Sequence, residues 1–376
     1  MKAVVFHAVG DIRLDDVSEP RVREPTDAVV RLTASAICGT DLHFVRGTMP
    51  GMEPGTILGH EGVGVVEEVG AGVRNLRPGD RVVIPSTIAC GTCSYCRAGY
   101  HSQCDRANPN GPRAGTAFFG GPQSTGPFDG MQAELVRVPF ANVGLVKLPD
   151  EVRDDQAIML SDIFPTAWFG GRLAEIGKGD VVAVFGCGPV GQFAILSAML
   201  QGAGRILAVD KVPSRLESAK RIGAEVIHFD REDPVQTIRH LTAGIGVDRV
   251  IDAVGVDAEP PAAEGGGRPG DAPQQALEWE VEAVAKAGTI GIIGVYPPNV
   301  EQFPIGQAMN KNLTIKMGNC NHRRYIPELV TMVRSGAVDP SNVLTQVKEA
   351  TAAIEAYQAF DRHENGWIKV ELRPAS

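Results

Sequence analysis

Cys38 and the dipeptide His60-Glu61 offer a soft thiolate, an imidazole and a carboxylate. These donor types can hold zinc and leave one coordination position for a reactant. Taken singly each is weak: a lone cysteine is usually buried filler and a lone histidine usually just hydrogen-bonded. A second cluster is tighter. Cys90-x2-Cys93-x2-Cys96-x7-Cys104 gathers four of the chain's seven cysteines within fifteen residues, with Gly91 and Gly99 to relax the turns. Four thiolates complete a tetrahedral zinc shell and leave no position for substrate, so this site would be structural. One alternative is disulfides, which bridge cysteines poorly at this spacing. Another is a redox CxxC, for which Arg97 is the sole adjacent cation. The third cluster is Gly186-x-Gly188-x-x-Gly191, between the apolar run Val181–Phe185 and a further apolar stretch. In a strand–turn–helix setting Gly186 makes the tight turn, Gly188 lets the backbone approach a pyrophosphate, and Gly191 allows close helix–strand packing. The helix opening at Pro189 and Val190 then favours the phosphate charge. Asp210 ends the next apolar run, nineteen residues after Gly191. It can accept the adenosine ribose hydroxyls and would repel a 2′-phosphate, which predicts NAD over NADP, while Lys211 and Arg215 pull the other way. A glycine-rich turn is the bland alternative; strand, helix and acid in register favour the cofactor.

These clusters need two kinds of support. Residues 1–150 hold short valine-rich segments, including 28–34, 62–69 and 81–84, broken by Arg77-Pro78-Gly79-Asp80 and Leu148-Pro149-Asp150. This reads as a β-rich domain. From about Asp162 strands at 181–185, 205–210, 225–229, 249–253 and 289–295 alternate with helices at about 190–201 and 214–222. That rhythm implies a doubly wound parallel sheet. Residues 257–274, rich in Pro, Gly, Ala and acids, read as an exposed insertion. Helices at 325–335 and 349–360 and a strand at 366–372 close the chain and return to the first domain.

Cys38-Gly-Thr40-Asp41-Leu-His43 followed by Gly59-His60-Glu61-Gly62-x-Gly64 resembles the signature of zinc-dependent medium-chain alcohol dehydrogenases. The cysteine lobe and the dinucleotide fold follow in the family order, so the resemblance covers essentially the whole chain. It implies an α/β architecture. A GroES-like catalytic domain would span 1–162 with a structural zinc lobe at 90–104, a Rossmann NAD-binding domain 163–307, and the rest of the catalytic domain 308–376. It also implies roles. Cys38 and His60 would bind a catalytic zinc, and Glu61 would sit beside the metal and ligate it transiently. Asp41 would orient His60. Thr40 would take the alcohol proton and pass it through the cofactor ribose to His43 at the surface. Val295 and Lys369 would join the cofactor site.

Many members carry a cysteine where this chain has Asp162, in Leu160-Ser161-Asp162-Ile163-Phe164-Pro165-Thr166. The aspartate resembles the branch containing glutathione-independent formaldehyde dehydrogenases, as do Phe119-Gly120-Gly121, Gly130-Met-Gln-Ala-Glu134 and Gly318-Asn-Cys-Asn-His322. Carboxylate oxygen is an acceptable zinc ligand; a helix N-cap is the alternative for Asp162. In that branch an extra loop corresponding to 257–274 accompanies tight NAD binding, so tight retention is an expectation here. The implied activity is hydride transfer between an alcohol, or an aldehyde hydrate, and NAD. Polyol or amino-alcohol dehydrogenase, formaldehyde dismutase and a catalytically silent dinucleotide-binding protein are the rival readings. A homotetramer or homodimer is expected, paired through strand 289–295 and Tyr296-Pro297-Pro298.

The bulk properties agree with an enzyme of this kind. The chain has 376 residues, enough for two cores, with 43% hydrophobic and 22% charged residues. A net charge of -9 gives no electrostatic reason to bind nucleic acid and disfavours anionic membranes. Residues 181–200 lack charge, but their glycines and Pro189 suit a strand, turn and buried helix better than a membrane span. The first residues reach acids too soon for a secretory signal, and the cytoplasm is the expected compartment. Cys187 and Cys320 read as packing residues. Phe44, Phe118, Trp168 and Met317 read as pocket lining or ordinary core.

Overall fold

A computed structural model describes residues 1–111, 113–296 and 302–374. Two compact units emerge: Met1–Pro165 with Cys320–Ser376, and Thr166–Asn319 between them. The second boundary falls later than the 308 expected, because Thr314–Met317 adds a strand to the parallel sheet instead of returning to the first unit.

The first unit is built on Ala28–Ile37, a ten-residue strand with nearly every side chain buried. It pairs antiparallel with Gly62–Val69, and Ser35 faces Gly62 across the ladder. The end of one strand therefore meets the start of the other, which brings Cys38 and His60 to the same end of the sheet. Arg81–Ile84 and Val146–Lys147 extend the sheet on one side, Val370–Arg373 and Gln346–Glu349 on the other, and Leu135–Val138 pairs with the central strand. The closing strand is thus Val370–Arg373, and the helix before it is Ala353–Asp361, opened by a 3-10 turn at Ala350–Ala352 after the strand Gln346–Glu349. A hairpin of Lys2–Ala8 and Asp11–Asp16 packs Val4 and Phe6 into the core beside Ile37, Leu58 and Phe360.

The second unit is a six-stranded parallel sheet. Its order runs Glu225–His228, Arg205–Asp210, Val181–Phe185, Val247–Asp252, Val284–Ile292, Thr314–Met317. This is the doubly wound dinucleotide-binding order, reversing between the third and fourth strands so that a crevice opens at their carboxyl ends. Residues 181–200 form the first strand, the glycine turn and the helix Pro189–Leu200. Among the described residues no helix is long and apolar enough to cross a membrane. Within 257–274 the chain makes a short 3-10 turn at Ala262–Glu264. The strand expected at 289–295 is Val284–Ile292, and it lies between two neighbours, so it cannot pair with another copy. Among the described residues the edge strand on that side is Thr314–Met317. Pro297 and Pro298 lie outside the described residues.

Candidate active site

The strand Ala28–Ile37 ends at Cys38, which starts the helix Gly39–Arg46. Asp41 accepts a hydrogen bond from the Cys38 amide at 2.9 Å, fixing the helix entry. His60 and Glu61 directly precede Gly62–Val69. Asp162 directly precedes the helix Ile163–Leu173. Its neighbour Ser161 ties this turn to the sheet: the Ser161 hydroxyl accepts from the Gly62 amide at 3.0 Å and donates to the Ile84 carbonyl. The sheet thus brings three chain-distant residues together. One ligand atom from each of Cys38, His60 and Asp162 lies within 4.8 Å of the others. Asp162 Oδ2 is 3.8 Å from Cys38 Sγ and 3.2 Å from His60 Nε2. On the far side of the imidazole, His60 Nδ1 lies 3.3 Å from Asp41 Oδ1. The angle there falls short of a hydrogen bond, leaving both atoms buried and unmatched. With Nε2 committed to a metal, Nδ1 carries the proton and can donate to Asp41.

The donor set fits a divalent cation. Four buried acids, Cys38, Asp41, Glu61 and Asp162, face one buried lysine, Lys369, and two imidazoles, His60 and His322. With the thiol ionised and the imidazoles neutral, as metal ligation requires, these acids outnumber the lysine, and a divalent cation would answer them. The titration directions express the same strain. Burial alone would lower His60, but Asp41, Cys38 and Asp162 hold it well above its ordinary value. Burial would raise Asp162, yet His322 and His60 hold it well below the ordinary carboxylate range. Burial pushes the Cys38 thiol up, with His60 pulling it part of the way back.

Glu61 is not one of the three converging ligands. Its Oε2 is ion-paired with Lys369 Nζ, which also donates to the Ile37 carbonyl at 3.1 Å. Lys369 was expected at the cofactor; its side chain is wholly buried in the first unit, where the Glu61 carboxylate and a strand-end carbonyl satisfy its charge. Thr40 is half-buried one helical turn before His43. His43 was expected at the surface, yet it is buried, 7% exposed, and Thr48 Oγ1 lies 3.5 Å from its Nδ1. The helix packs it inward because Leu42 and Phe44 on either side belong to the core. Phe118 stands edge-on to His60 at 6.3 Å and is partly exposed, whereas Phe44 behind it is core. Trp168 is core of the second unit, and Met317 is exposed on its edge strand.

Cys90, Cys93, Cys96 and Cys104 are all buried, all unbridged, and converge within 4.8 Å. Amides point at the sulfurs: Cys90 N at Cys104 Sγ (3.3 Å), Thr92 N at Cys90 Sγ (3.4 Å) and Cys96 N at Cys93 Sγ (3.5 Å). Burial acts upward on Cys90, but the Thr92 hydroxyl and nearby amides bring it down to about 6. Burial pushes Cys96 and Cys104 up. Donated amide hydrogens and a low-lying thiol favour thiolates, which suits zinc.

In the second unit the glycine turn has the shape a pyrophosphate needs. Gly186 sits at φ 85°, and Gly191 packs so closely that an added Cβ would lie 1.9 Å from the Gly186 carbonyl oxygen. At Gly188 an added Cβ would meet only the Arg215 guanidinium, at 3.9 Å, leaving space above the turn. Pro189 opens the helix, so the Val190 and Gly191 amides are free of intrahelical partners. Asp210 accepts from the amides of Cys187, Lys211 and Val212 at 2.7–2.8 Å. Lys211 is ion-paired with Glu259 of the insertion, and the Ala262 amide donates to Asp230 at 2.8 Å. Arg215 keeps its buried Nε without a hydrogen-bond partner. Val295 follows the fifth strand, and its carbonyl accepts from Val256 at 2.8 Å.

Residues beyond the sequence reading support the metal site: His322 and Ser86 hold Asp162, Thr87 holds His322, and Gln132 with Tyr357 sits behind Asp41. His322 stood in a motif already noted, but its partner lies 160 residues away, so no local spacing could join them.

A metal-competent β-rich unit with a parallel, glycine-cradled unit inserted into it defines the architecture of a medium-chain oxidoreductase. The profile described as "Alcohol dehydrogenase GroES-like domain" matches residues 24–150, and "Zinc-binding dehydrogenase" matches 189–263. The uncharacterized zinc-type alcohol dehydrogenase-like protein AdhB of Bacillus subtilis (strain 168) is 40% identical over 100% of both chains. The alcohol dehydrogenase TADH from Thermus sp. ATN1 superposes with a TM-score of 0.87 at 38% identity, again covering 100% of both chains. The chain belongs to the zinc-type medium-chain alcohol dehydrogenase family. The glutathione-independent formaldehyde dehydrogenase of Pseudomonas aeruginosa (strain LESB58) is a more distant relative, 35% identical over 84% of this chain and 80% of its own. The likenesses therefore establish the family and not that branch.

Proposed function

We propose that the chain is a zinc- and NAD-dependent alcohol dehydrogenase, acting on a small alcohol or the corresponding aldehyde and working as a homo-oligomer. The observation that carries this is the convergence of Cys38, His60 and Asp162 within 4.8 Å amid a surplus of buried acid. When bound, zinc supplies the Lewis acidity that eases removal of a hydroxyl proton, and NAD accepts the hydride.

The chain's own residues do the rest. Cys38, His60 and Asp162 hold the metal, and Asp41 sets the His60 tautomer from behind. Thr40 accepts the hydroxyl proton at its Oγ1 as it releases its own, and His43, one turn along the same helix, is the acceptor to which that proton is relayed. Thr48, half-buried against His43, carries it toward solvent. The partly exposed ring of Phe118 beside His60 gives the substrate an apolar wall. Gly186, Gly188 and Gly191 seat the pyrophosphate, and Asp210 takes the adenosine ribose. The Lys211–Glu259 pair cancels the charge that would draw a 2′-phosphate, which supports NAD. The four-cysteine lobe holds a second, structural zinc.

Elemental analysis, with reduction of NAD and NADP assayed on primary, secondary and polyhydroxy alcohols and formaldehyde, tests this. Two zinc ions per chain with NAD-linked turnover are expected. One zinc ion and no turnover on any substrate would leave a dinucleotide-binding protein without this chemistry.

A further inference from the structure

We propose that His322 is a positioning residue that divides the two oxygens of Asp162, presenting one to the metal and withdrawing the other. The inference rests on the metal reading above and adds a residue to it.

His322 begins the helix His322–Arg334, and its side chain is 3% exposed. Both ring nitrogens have partners within the first unit. Nε2 lies 2.6 Å from Asp162 Oδ1, and Nδ1 lies 3.1 Å from Thr87 Oγ1. An ionised carboxylate can only accept, so Nε2 carries a proton and donates. The Thr87 hydroxyl can donate or accept, and it satisfies Nδ1 in either state. Ser86 Oγ approaches the same oxygen, Oδ1, at 3.5 Å. The opposite oxygen, Oδ2, is the one that faces Cys38 Sγ and His60 Nε2. His322, with Ser86 beside it, thus occupies Oδ1 and fixes the carboxylate plane, leaving Oδ2 as the oxygen offered to a metal.

This matters because of what Asp162 is. A thiolate offers one donor atom and no choice. A carboxylate offers two, can rotate and can bind through one or both. In a site with only three protein ligands, a carboxylate that swung to two-oxygen binding would consume the position kept for the reactant. Groups that hydrogen-bond metal ligands characteristically change metal affinity about 10–100-fold when removed.

The experiment uses His322→Leu, which keeps bulk and deletes both nitrogens, and His322→Gln, whose side-chain amide can place a donor near the Nε2 position. Each purified variant is titrated with a chromophoric zinc chelator, and the catalytic site is also loaded with cobalt for visible spectroscopy. The four-cysteine lobe in the same chain serves as the folding control. We expect His322→Leu to release one of its two zinc ions about 10–100-fold more readily, with the lobe unchanged and the cobalt ligand-field bands shifted. His322→Gln should recover most of the affinity and the wild-type bands. Wild-type affinity and bands in His322→Leu would overturn the proposal. So would equal loss of both zinc ions in both variants, which would mark a general packing role. If the wild-type protein itself held zinc only in the lobe, the metal reading would fail first and this proposal with it.

Discussion

Lys369 carries its charge to a place that water does not reach. Its side chain is 0% exposed, as is that of Glu61, with which it pairs. The two are 308 residues apart in sequence, so no pattern along the chain could reveal the partnership. The cysteine lobe was the opposite case: its chemistry lies within fifteen residues, and spacing alone was enough. Asp162 falls between them: the segment around it carries the family resemblance, but the histidine it meets lies 160 residues away. The burial of Lys369 has a measurable consequence. Removing one member of a buried ion pair strands the other and costs about 3–5 kcal/mol. Lys369→Met should therefore lower the urea midpoint substantially, and adding Glu61→Gln to it should recover much of the loss. If Lys369→Met were as stable as wild type but needed far more NAD, the lysine would instead be serving the cofactor.

At the scale of elements, local signals stand in the sequence and pairing signals do not. The strand–turn–helix at 181–200 was legible because each glycine has a local geometric duty. Thr314–Met317 was not, because its side chains are exposed or half-exposed and show no alternation. It is a strand because Val284–Ile292 offers it a ladder. The Lys2–Ala8 strand is legible only in part for a related reason: it pairs locally with Asp11–Asp16, but its Val4 and Phe6 amides find the Gln132 and Thr56 carbonyls, far along the chain. The glycine turn makes a paired prediction. An alanine at Gly188 meets nothing closer than Arg215 at 3.9 Å, and the φ of -65° suits any residue. Gly188→Ala should fold with an unchanged melting temperature and bind NAD about tenfold or more weakly, a loss of about 1.4 kcal/mol. Gly191→Ala, driven against the Gly186 carbonyl, should lose stability itself. Unimpaired NAD binding by Gly188→Ala, measured by fluorescence titration, would mean that no phosphate approaches that backbone.

The whole molecule is assembled from a unit interrupted in sequence and a unit inserted within it, and the two hide their charge differently. The first gathers acids where a cation can answer them. The second buries a pair of carboxyl groups, Asp252 and Glu280, with no cation among the described residues ion-paired to either. Asp252 at least accepts from the amides of Val254 and Gly255 and from the Tyr296 hydroxyl. Glu280, fully buried on the helix Gln275–Ala283, has neither oxygen hydrogen-bonded. Burial, with Asp252 adding to it, pushes Glu280 well above its ordinary value, so folding favours its protonated form. In the unfolded chain it ionises near its usual pKa of about 4.3. Between those two values the unfolded state binds fewer protons than the native one. Stability is therefore fully present below the unfolded pKa and is lost as pH rises toward the folded one, by at most about 1.4 kcal/mol per pH unit for one group. Glu280→Gln removes the titration while keeping the shape. Its melting temperature should pull ahead of wild type steadily as the pH is raised from about 5 to 8. Calorimetric profiles of the two proteins that ran parallel across that range would show that Glu280 gives up its proton at the same pH folded and unfolded.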